Sequence, residues 1–162
     1  MASAVNYASE LAASQLIIAS PWWEMILREE AGWLRRAQRI HSAINTQSLA
    51  FNHASGDILR IFVNSVPPKN DFVTAVAREC AQSLSAMANV FTVISVFLKK
   101  ILDSHDNVLM LESLSANPFM VNIANLGELL GIARYECSCI AEFFEKRFPL
   151  LQQAIQAKVV EN

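Results

Sequence analysis

Histidines and cysteines are the side chains with which this chain could hold a metal ion or act as a nucleophile. None of the three histidines has a glutamate three positions before it, so the Glu-x-x-His pairs of di-iron carboxylate bundles are absent. The Cys-x-x-Cys-His attachment sequence of a c-type haem is absent as well. A zinc site would have to combine Cys80 and Cys137 with a distant histidine, without the usual ligand spacing. We therefore expect no metal and no cofactor.

The three cysteines are odd in number and too few for a disulfide framework, which favours a reduced, cytoplasmic protein. Helical periodicity places Cys80 and Cys137 on buried faces, where cysteine behaves as a small hydrophobic residue. Cys139 falls outside the buried face, so it is the one candidate for a reactive thiol, although we favour an inert, partly buried cysteine. Because a Gly-rich phosphate loop is also missing, we expect no catalytic residues and no enzymatic activity.

Four arginines form the main concentration of positive charge, and they lie beside three tryptophans. The arginines are Arg28, Arg35, Arg36 and Arg39. Such a patch could bind a phosphoinositide, an anionic membrane or RNA. We favour the alternative of a solvated face, because three glutamates share the segment and Glu24 lies four residues before Arg28, the spacing of a helical ion pair. A net charge of −2 and a pI near 5.9 also argue against general nucleic-acid binding.

The element expected to organise the chain is a central helix from Asp71 to Asp103, whose middle, Ala81–Leu98, carries no charge. Its polar residues fall within one arc about 100° wide, and apolar residues recur opposite them every three or four positions. The apolar stripe is Val73, Val76, Cys80, Leu84, Met87, Phe91, Ile94, Leu98 and Ile101, widened on one side by Phe72, Val90, Val93 and Phe97. This pattern predicts a helix about 50 Å long that is buried over most of its circumference, with membrane contact at most peripheral.

The remaining chain is predicted to wrap this helix. A first helix is predicted over residues 3–19. A second is predicted from Pro21 to about His53, with a break near 45–48 or none, and it ends before Gly56. Short helices are predicted over 57–64 and 108–115, a long helix from 119 to 148, and, after a kink or interruption at Pro149, a terminal helix over 150–160. The sum is a single all-α domain, residues 1–162, built as a bundle of four long and two to three short helices.

The last long helix carries more apolar residues than its own buried stripe requires. The candidate interaction surface consists of Val121, Gly127, Gly131, Ile132, Tyr135 and Phe143, with Cys139 beside it. The two glycines form a Gly-x-x-x-Gly spacing off the stripe, where close approach of another helix would explain their choice over alanine. Either the terminal helix folds back over this surface, or a second copy of the chain covers it.

From these patterns we predict a non-catalytic helical protein-interaction module, which self-associates or binds a partner helix in an apolar groove. Its partners would be proteins, including a second copy of itself, and not nucleic acid. The alternative is a carrier that holds an apolar ligand in the bundle interior. The residues that suggest the carrier are Met87, Phe91, Phe97, Phe143 and Phe144.

Overall fold

The computed structural model describes residues 7–63, 71–107 and 118–161, and within these ranges the chain forms helices and no strand. The five helices are α1 (Tyr7–Ile18), α2 (Trp22–Leu27), α3 (Trp33–Phe62), α4 (Asp71–Asn107) and α5 (Pro118–Glu161). The predicted all-α bundle is confirmed, with fewer separate helices than expected. The predicted short helix over 108–115 lies outside the described residues.

The central helix is α4, which packs against both α3 and α5, while α1 and α2 lie against α3 and α5. Its predicted apolar stripe is confirmed, because every member from Val76 to Ile101 is buried and Val73 is half-buried. The span Asp71–Asp103 is long and apolar enough to cross a membrane, and 44% of its most apolar window is buried inside the fold. Contacts within the bundle therefore account for the stripe.

The prediction that a flank beside this stripe widens the buried face of α4 is wrong. Phe72 and Val93 are exposed, and Val90 and Phe97 are only half-buried. No helix covers this flank among the described residues, where α4 packs against α3 and α5. The flank therefore leaves apolar side chains at the surface.

Hydroxyl groups join α3 to α4 inside the bundle. Ser48 Oγ lies 3.2 Å from the carbonyl oxygen of Ala88, to which it donates, and 2.9 Å from Thr92 Oγ1. Two turns further along α3, Ser55 Oγ donates to the carbonyl oxygen of Ala81. Small residues at these positions allow the two backbones to approach closely, and the hydrogen bonds satisfy polar groups that burial would otherwise leave costly.

The second predicted helix is two helices, separated by a turn over residues 28–32. Glu29 and Gly32 have φ values of 51° and 81°, which an α-helix does not contain. Helices α2 and α3 have independent registers, and in α2 Trp23 and Ile26 are buried while Trp22 is half-buried. The predicted start is supported by the backbone N–H of Trp22, which donates to Ser20 Oγ over 3.2 Å.

Two predicted helix ends do not occur. Helix α3 passes through Gly56 without the break considered near 45–48, because Ile58 and Phe62 continue its buried face and outweigh the cost of about 1 kcal/mol for one glycine. Helix α5 runs through Pro149 as one element. Pro149 is exposed, so water can bond the carbonyl that proline leaves without a donor. The terminal segment therefore continues α5 and does not fold back across it.

Side chains from α2 and α5 complete the hydrogen bonding at the end of α1. Trp23 Nε1 donates to the carbonyl oxygen of Ile17 over 2.8 Å, and Arg134 Nε donates to that of Ile18 over 3.2 Å. The last carbonyls of a helix have no donor within the helix. These two bonds supply donors and tie the end of α1 to both neighbouring helices.

Candidate interaction surfaces

The predicted interaction surface on α5 is divided between two sides of the helix. Gly127 is half-buried beside α2, where a Cβ atom would lie 3.8 Å from Leu27 Cδ2, while a Cβ at Gly131 would meet nothing within 4 Å. Ile132 lies about 140° from Gly127 around the helix, at 100° per residue. The close approach expected at the glycines is therefore not found, because an alanine Cβ would make an ordinary van der Waals contact at position 127 and none at position 131.

The apolar members of the predicted surface have different surroundings. Ile132 and Tyr135 are 58% and 73% exposed, and Phe143 is also exposed. Ile132 and Phe143 lie on the flank of α5 that faces α4, and Tyr135 lies further out. The side chain of Val121 is outside the described residues. The structure therefore brings Ile132 and Phe143 to one flank and separates them from the two glycines.

An apolar groove runs between α4 and α5 on the flank that no helix covers among the described residues. Its walls are Val90 and Val93 from α4 and Leu129, Ile132 and Ala133 from α5, with Asn89 and Glu136 at its edges, and it encloses about 280 Å³. Val93 is 44% exposed, so both walls carry accessible apolar surface. The sequence predicts the exposure of Ile132 on the α5 wall, whereas its prediction that Val93 on the α4 wall is buried is wrong.

A charged contact closes one end of this flank. Arg147 Nε lies 3.2 Å from Glu79 Oε2, which joins α5 to α4. The same guanidinium lies over the ring of Phe143, 5.3 Å from its centroid. Since Arg147 near Glu79 and Ile132 near Val90 require opposite chain directions, α4 and α5 are antiparallel. The ion pair helps to fix the register of the two groove walls.

The four predicted anion-binding arginines form two groups. Arg28 lies in the turn after α2, where its Nε is 4.0 Å from Glu24 Oε2. Arg35, Arg36 and Arg39 lie in the first turns of α3. The Nη1 atom of Arg36 donates to the carbonyl oxygen of Ala31 over 3.3 Å, and its guanidinium lies 5.9 Å from the centroid of a Trp22 ring. The turn at 28–32 therefore separates Arg28 from the other three arginines.

A second apolar pocket lies beside these arginines, between α1, the start of α2 and α3. Its lining is Leu16, Ile17, Ser20, Trp22, Arg39, Ile40 and Ala43, and it encloses about 240 Å³. Leu16 is 74% exposed at its edge. Sequence reasoning recognises the arginines and Trp22 but misses this pocket, because its walls come from three helices whose packing no single periodicity contains.

The residues that suggest a ligand carrier lie mainly in the packed core. Met87, Phe91 and Phe144 are fully buried, and Phe91 packs edge-on against Phe51 with ring centroids 5.7 Å apart. Phe97 is half-buried and Phe143 exposed. A shallow surface pocket of about 230 Å³ between α1 and α5 includes Phe144, Leu11 and Pro149 in its lining. Three of these five residues therefore belong to the core.

A serine, a histidine and an asparagine meet between α3 and α4. Ser95 Oγ lies 3.1 Å from His41 Nε2 and donates to Asn45 Oδ1 over 2.6 Å. A nucleophilic serine needs its base as proton acceptor and space for a carbonyl group beside Oγ. Here the hydroxyl proton points to Asn45, and none of the three pockets described above includes Ser95. The cluster fits a polar contact between helices.

The predicted burial of Cys80 and Cys137 is confirmed, whereas the expectation that Cys139 is partly buried is wrong. Cys80 and Cys137 are buried and Cys139 is exposed. Burial, followed by the charge of Glu79, raises the pKa of Cys80 to about 12, although Arg147 lowers it somewhat. Burial, followed by Glu136, raises the pKa of Cys137 to about 11. Both buried thiols therefore stay protonated at neutral pH and are poor nucleophiles.

Metal-binding side chains do not converge in the part of the chain that the structure describes, where no three His, Cys, Asp or Glu residues form a group. His41 contacts Ser95, and the ring of His105 packs edge-on against Trp33 with centroids 5.2 Å apart.

No protein-family model, curated protein or solved structure matches the chain. Its function is therefore argued from these surfaces.

Proposed function

We propose that this chain is a non-catalytic helical interaction module that docks through the groove between α4 and α5. The observation that carries the proposal is the presence of an exposed apolar side chain on each wall, Val93 on α4 and Ile132 on α5. Contiguous apolar surface of this kind marks interaction sites on soluble proteins. An amphipathic helix would bury this surface by laying its own apolar face into the groove.

A second copy of the chain is the first occupant to test. The flank of α5 that contains Ile132 and Phe143 would otherwise be covered by the end of the same chain, but α5 runs through Pro149 as one helix and does not turn back on itself. In a two-fold dimer, each copy would present the same flank to the other. A helix from a different protein is the second occupant that fits the same groove.

The carrier alternative has less support. Core positions such as Phe91 and Met87 are fully buried, and the described pockets are shallow surface depressions. Ligand sites normally enclose most of the ligand surface. An apolar molecule in the interior would have to displace packed side chains, which is costly at the density of a protein core.

Sedimentation velocity over a range of protein concentrations tests the proposal, with Ile132→Asp as the disrupting variant. A matched control is Leu49→Asp, because Leu49 is 62% exposed on α3, away from the groove. We expect the unmodified chain and Leu49→Asp to self-associate and Ile132→Asp to remain monomeric, since a carboxylate in a closed apolar interface is strongly disfavoured. Circular dichroism checks that both variants keep the fold.

A strict monomer at high concentration would contradict self-association and leave a different chain as the occupant. A protein that co-purifies with the unmodified chain and with Leu49→Asp, but not with Ile132→Asp, would then identify the partner. Equal capture by all three forms would contradict docking through the groove.

A further inference from the structure

The surface formed by α1, α2 and the first turns of α3 combines positive charge with exposed apolar side chains. Arg39 lines the pocket whose walls include Leu16, Trp22 and Ile40. Arg35 lies one helical turn before Arg39 and is exposed on a neighbouring part of the same helix face. Arginine side chains at and beside an apolar depression favour an occupant that is both anionic and apolar.

The arginines of α3 lack acidic neighbours on their own helix. The helix contains no Asp or Glu from Trp33 to Ser55. Arg35 and Arg39 make no ion pair with any residue that the structure describes, whereas Arg28 is paired with Glu24 on α2. The positive charge at Arg35 and Arg39 is therefore not cancelled by a bound carboxylate, and it persists although the whole chain has a net charge of −2.

The shape of the pocket indicates a broad surface and not a small enclosed ligand. The pocket holds about 240 Å³ but opens widely to solvent, and Leu16 projects from its edge with 74% of its surface exposed. Small-molecule sites bury most of the ligand. Trp22 is half-buried and lies under the guanidinium of Arg36, so its indole is held at the boundary between protein and solvent. Tryptophan and arginine at such a boundary are typical of the bilayer interface.

We propose that this surface docks the protein on an anionic phospholipid bilayer, with Arg35 and Arg39 at the headgroups and Leu16 and Trp22 reaching the acyl boundary. The attraction between arginines and headgroups and the burial of apolar side chains are each weak, and the two then act together. Stable but reversible attachment to a membrane requires such a combination. The docking uses α1, α2 and α3, so it leaves the groove between α4 and α5 open and is independent of the function proposed above.

Flotation of the full-length chain with vesicles tests the proposal. Vesicles of phosphatidylcholine with phosphatidylserine are compared with vesicles of phosphatidylcholine alone, at low and at high salt. We expect binding to the anionic vesicles only, and weaker binding at high salt because the ions screen the headgroup charge. Each arginine near an anionic surface changes the partition coefficient about five-fold, so Arg35→Ala/Arg39→Ala should lower it roughly 25-fold.

The matched control is Arg78→Ala/Lys99→Ala, which removes two exposed cations from α4. Both double variants lower the net charge by two units from −2, so a difference between them reports position and not total charge. Leu16→Gln tests the apolar contribution and should also weaken binding. Circular dichroism and a urea titration show whether each variant is folded.

Three results would overturn the proposal. One is no binding to anionic vesicles at low salt, and another is an equal loss of binding in the two double variants. The third is that dodecyl phosphate, below its micellar concentration, binds with the same dependence on Arg39 and displaces the protein from the vesicles. That result would assign the pocket to single amphiphile molecules. A greater loss in Arg35→Ala/Arg39→Ala than in the control, with retained fold, would support docking on the bilayer.

Discussion

Ser55 Oγ on α3 donates a 2.8 Å hydrogen bond to the backbone carbonyl oxygen of Ala81 on α4, and both residues are buried. This contact lies in the interface between the two helices. Ser83 provides a comparison, because it is as buried as Ser55 but its Oγ donates to the carbonyl oxygen of Glu79 within α4. One hydroxyl thus joins two helices and the other bonds only to its own helix.

Replacement of Ser55 by alanine should therefore lower the free energy of unfolding by about 1 kcal/mol, the net value of a buried hydrogen bond. Ser83→Ala should be neutral or slightly stabilising, because alanine is the better helix former and a serine that bonds its own helix backbone contributes little. Urea titrations with a constant m value measure both changes. Equal losses in the two variants would show that the bond between the helices has no special role.

The core of the bundle gives a larger expected effect. Phe91 and Leu130 are almost fully buried on the stripes of α4 and α5. Truncating either residue to alanine should cost about 2–5 kcal/mol, through lost apolar burial and the cavity left behind. Arg35→Ala should change stability by less than about 0.5 kcal/mol, because Arg35 is exposed. Similar losses at Arg35 and Phe91 would contradict the assignment of the buried faces.

The stripes of α4 and α5 could be predicted from sequence because each depends on local spacing alone. Helical periodicity depends on residues three and four positions apart. The burial of Met87 or Leu126 can therefore be predicted without knowing which helix packs against it. The break between α2 and α3 could not be predicted in this way. It depends on the left-handed conformations of Glu29 and Gly32, and an isolated glycine in a helical pattern does not reveal whether the chain turns there.

The groove also lies beyond sequence reasoning. The prediction that Val93 is buried is wrong, and Ile132 lies outside the predicted stripe of α5, because periodicity does not state how far around each helix the neighbours extend. Their exposure follows from the positions of α1 and α2, which cover the opposite side of α5 and leave this flank open. The packing of several helices together decides which apolar flank is buried.

Replacing Gly32 and Gly56 by alanine should change the free energy of unfolding in opposite directions. Gly32 has a φ of 81°, and a Cβ there would lie 3.0 Å from Arg36 Nη1. The left-handed backbone costs an alanine about 1–2 kcal/mol, so Gly32→Ala should destabilise the fold. Gly56 lies inside α3, where an added Cβ would meet nothing within 4 Å, so Gly56→Ala should stabilise by about 0.5–1 kcal/mol. Thermal unfolding of both variants gives the two signs, and destabilisation by Gly56→Ala would contradict the continuous helix.

The three thiols should react with iodoacetamide at clearly different rates. Cys139 is exposed, while burial raises the pKa of Cys80 to about 12 and that of Cys137 to about 11. The thiolate is the reactive species, so the two buried cysteines should be modified slowly at pH 8 in the folded protein and quickly in urea. Peptide mapping by mass spectrometry measures each site, and Cys139→Ser should abolish the fast modification without changing the other two.

The same two buried thiols should make the fold less stable in alkaline solution. In the unfolded chain they lose their protons near the ordinary value of 9.0, whereas in the folded chain they keep them until about pH 11–12. Between these values the folded state binds more protons than the unfolded state, so the free energy of unfolding falls as the pH rises. In the double variant Cys80→Ala/Cys137→Ala, the free energy of unfolding should fall less between pH 9 and 11. Each form is compared with its own stability at pH 8, because the double variant is less stable at every pH. An unchanged slope would show that ionisation of these buried thiols does not limit alkaline stability.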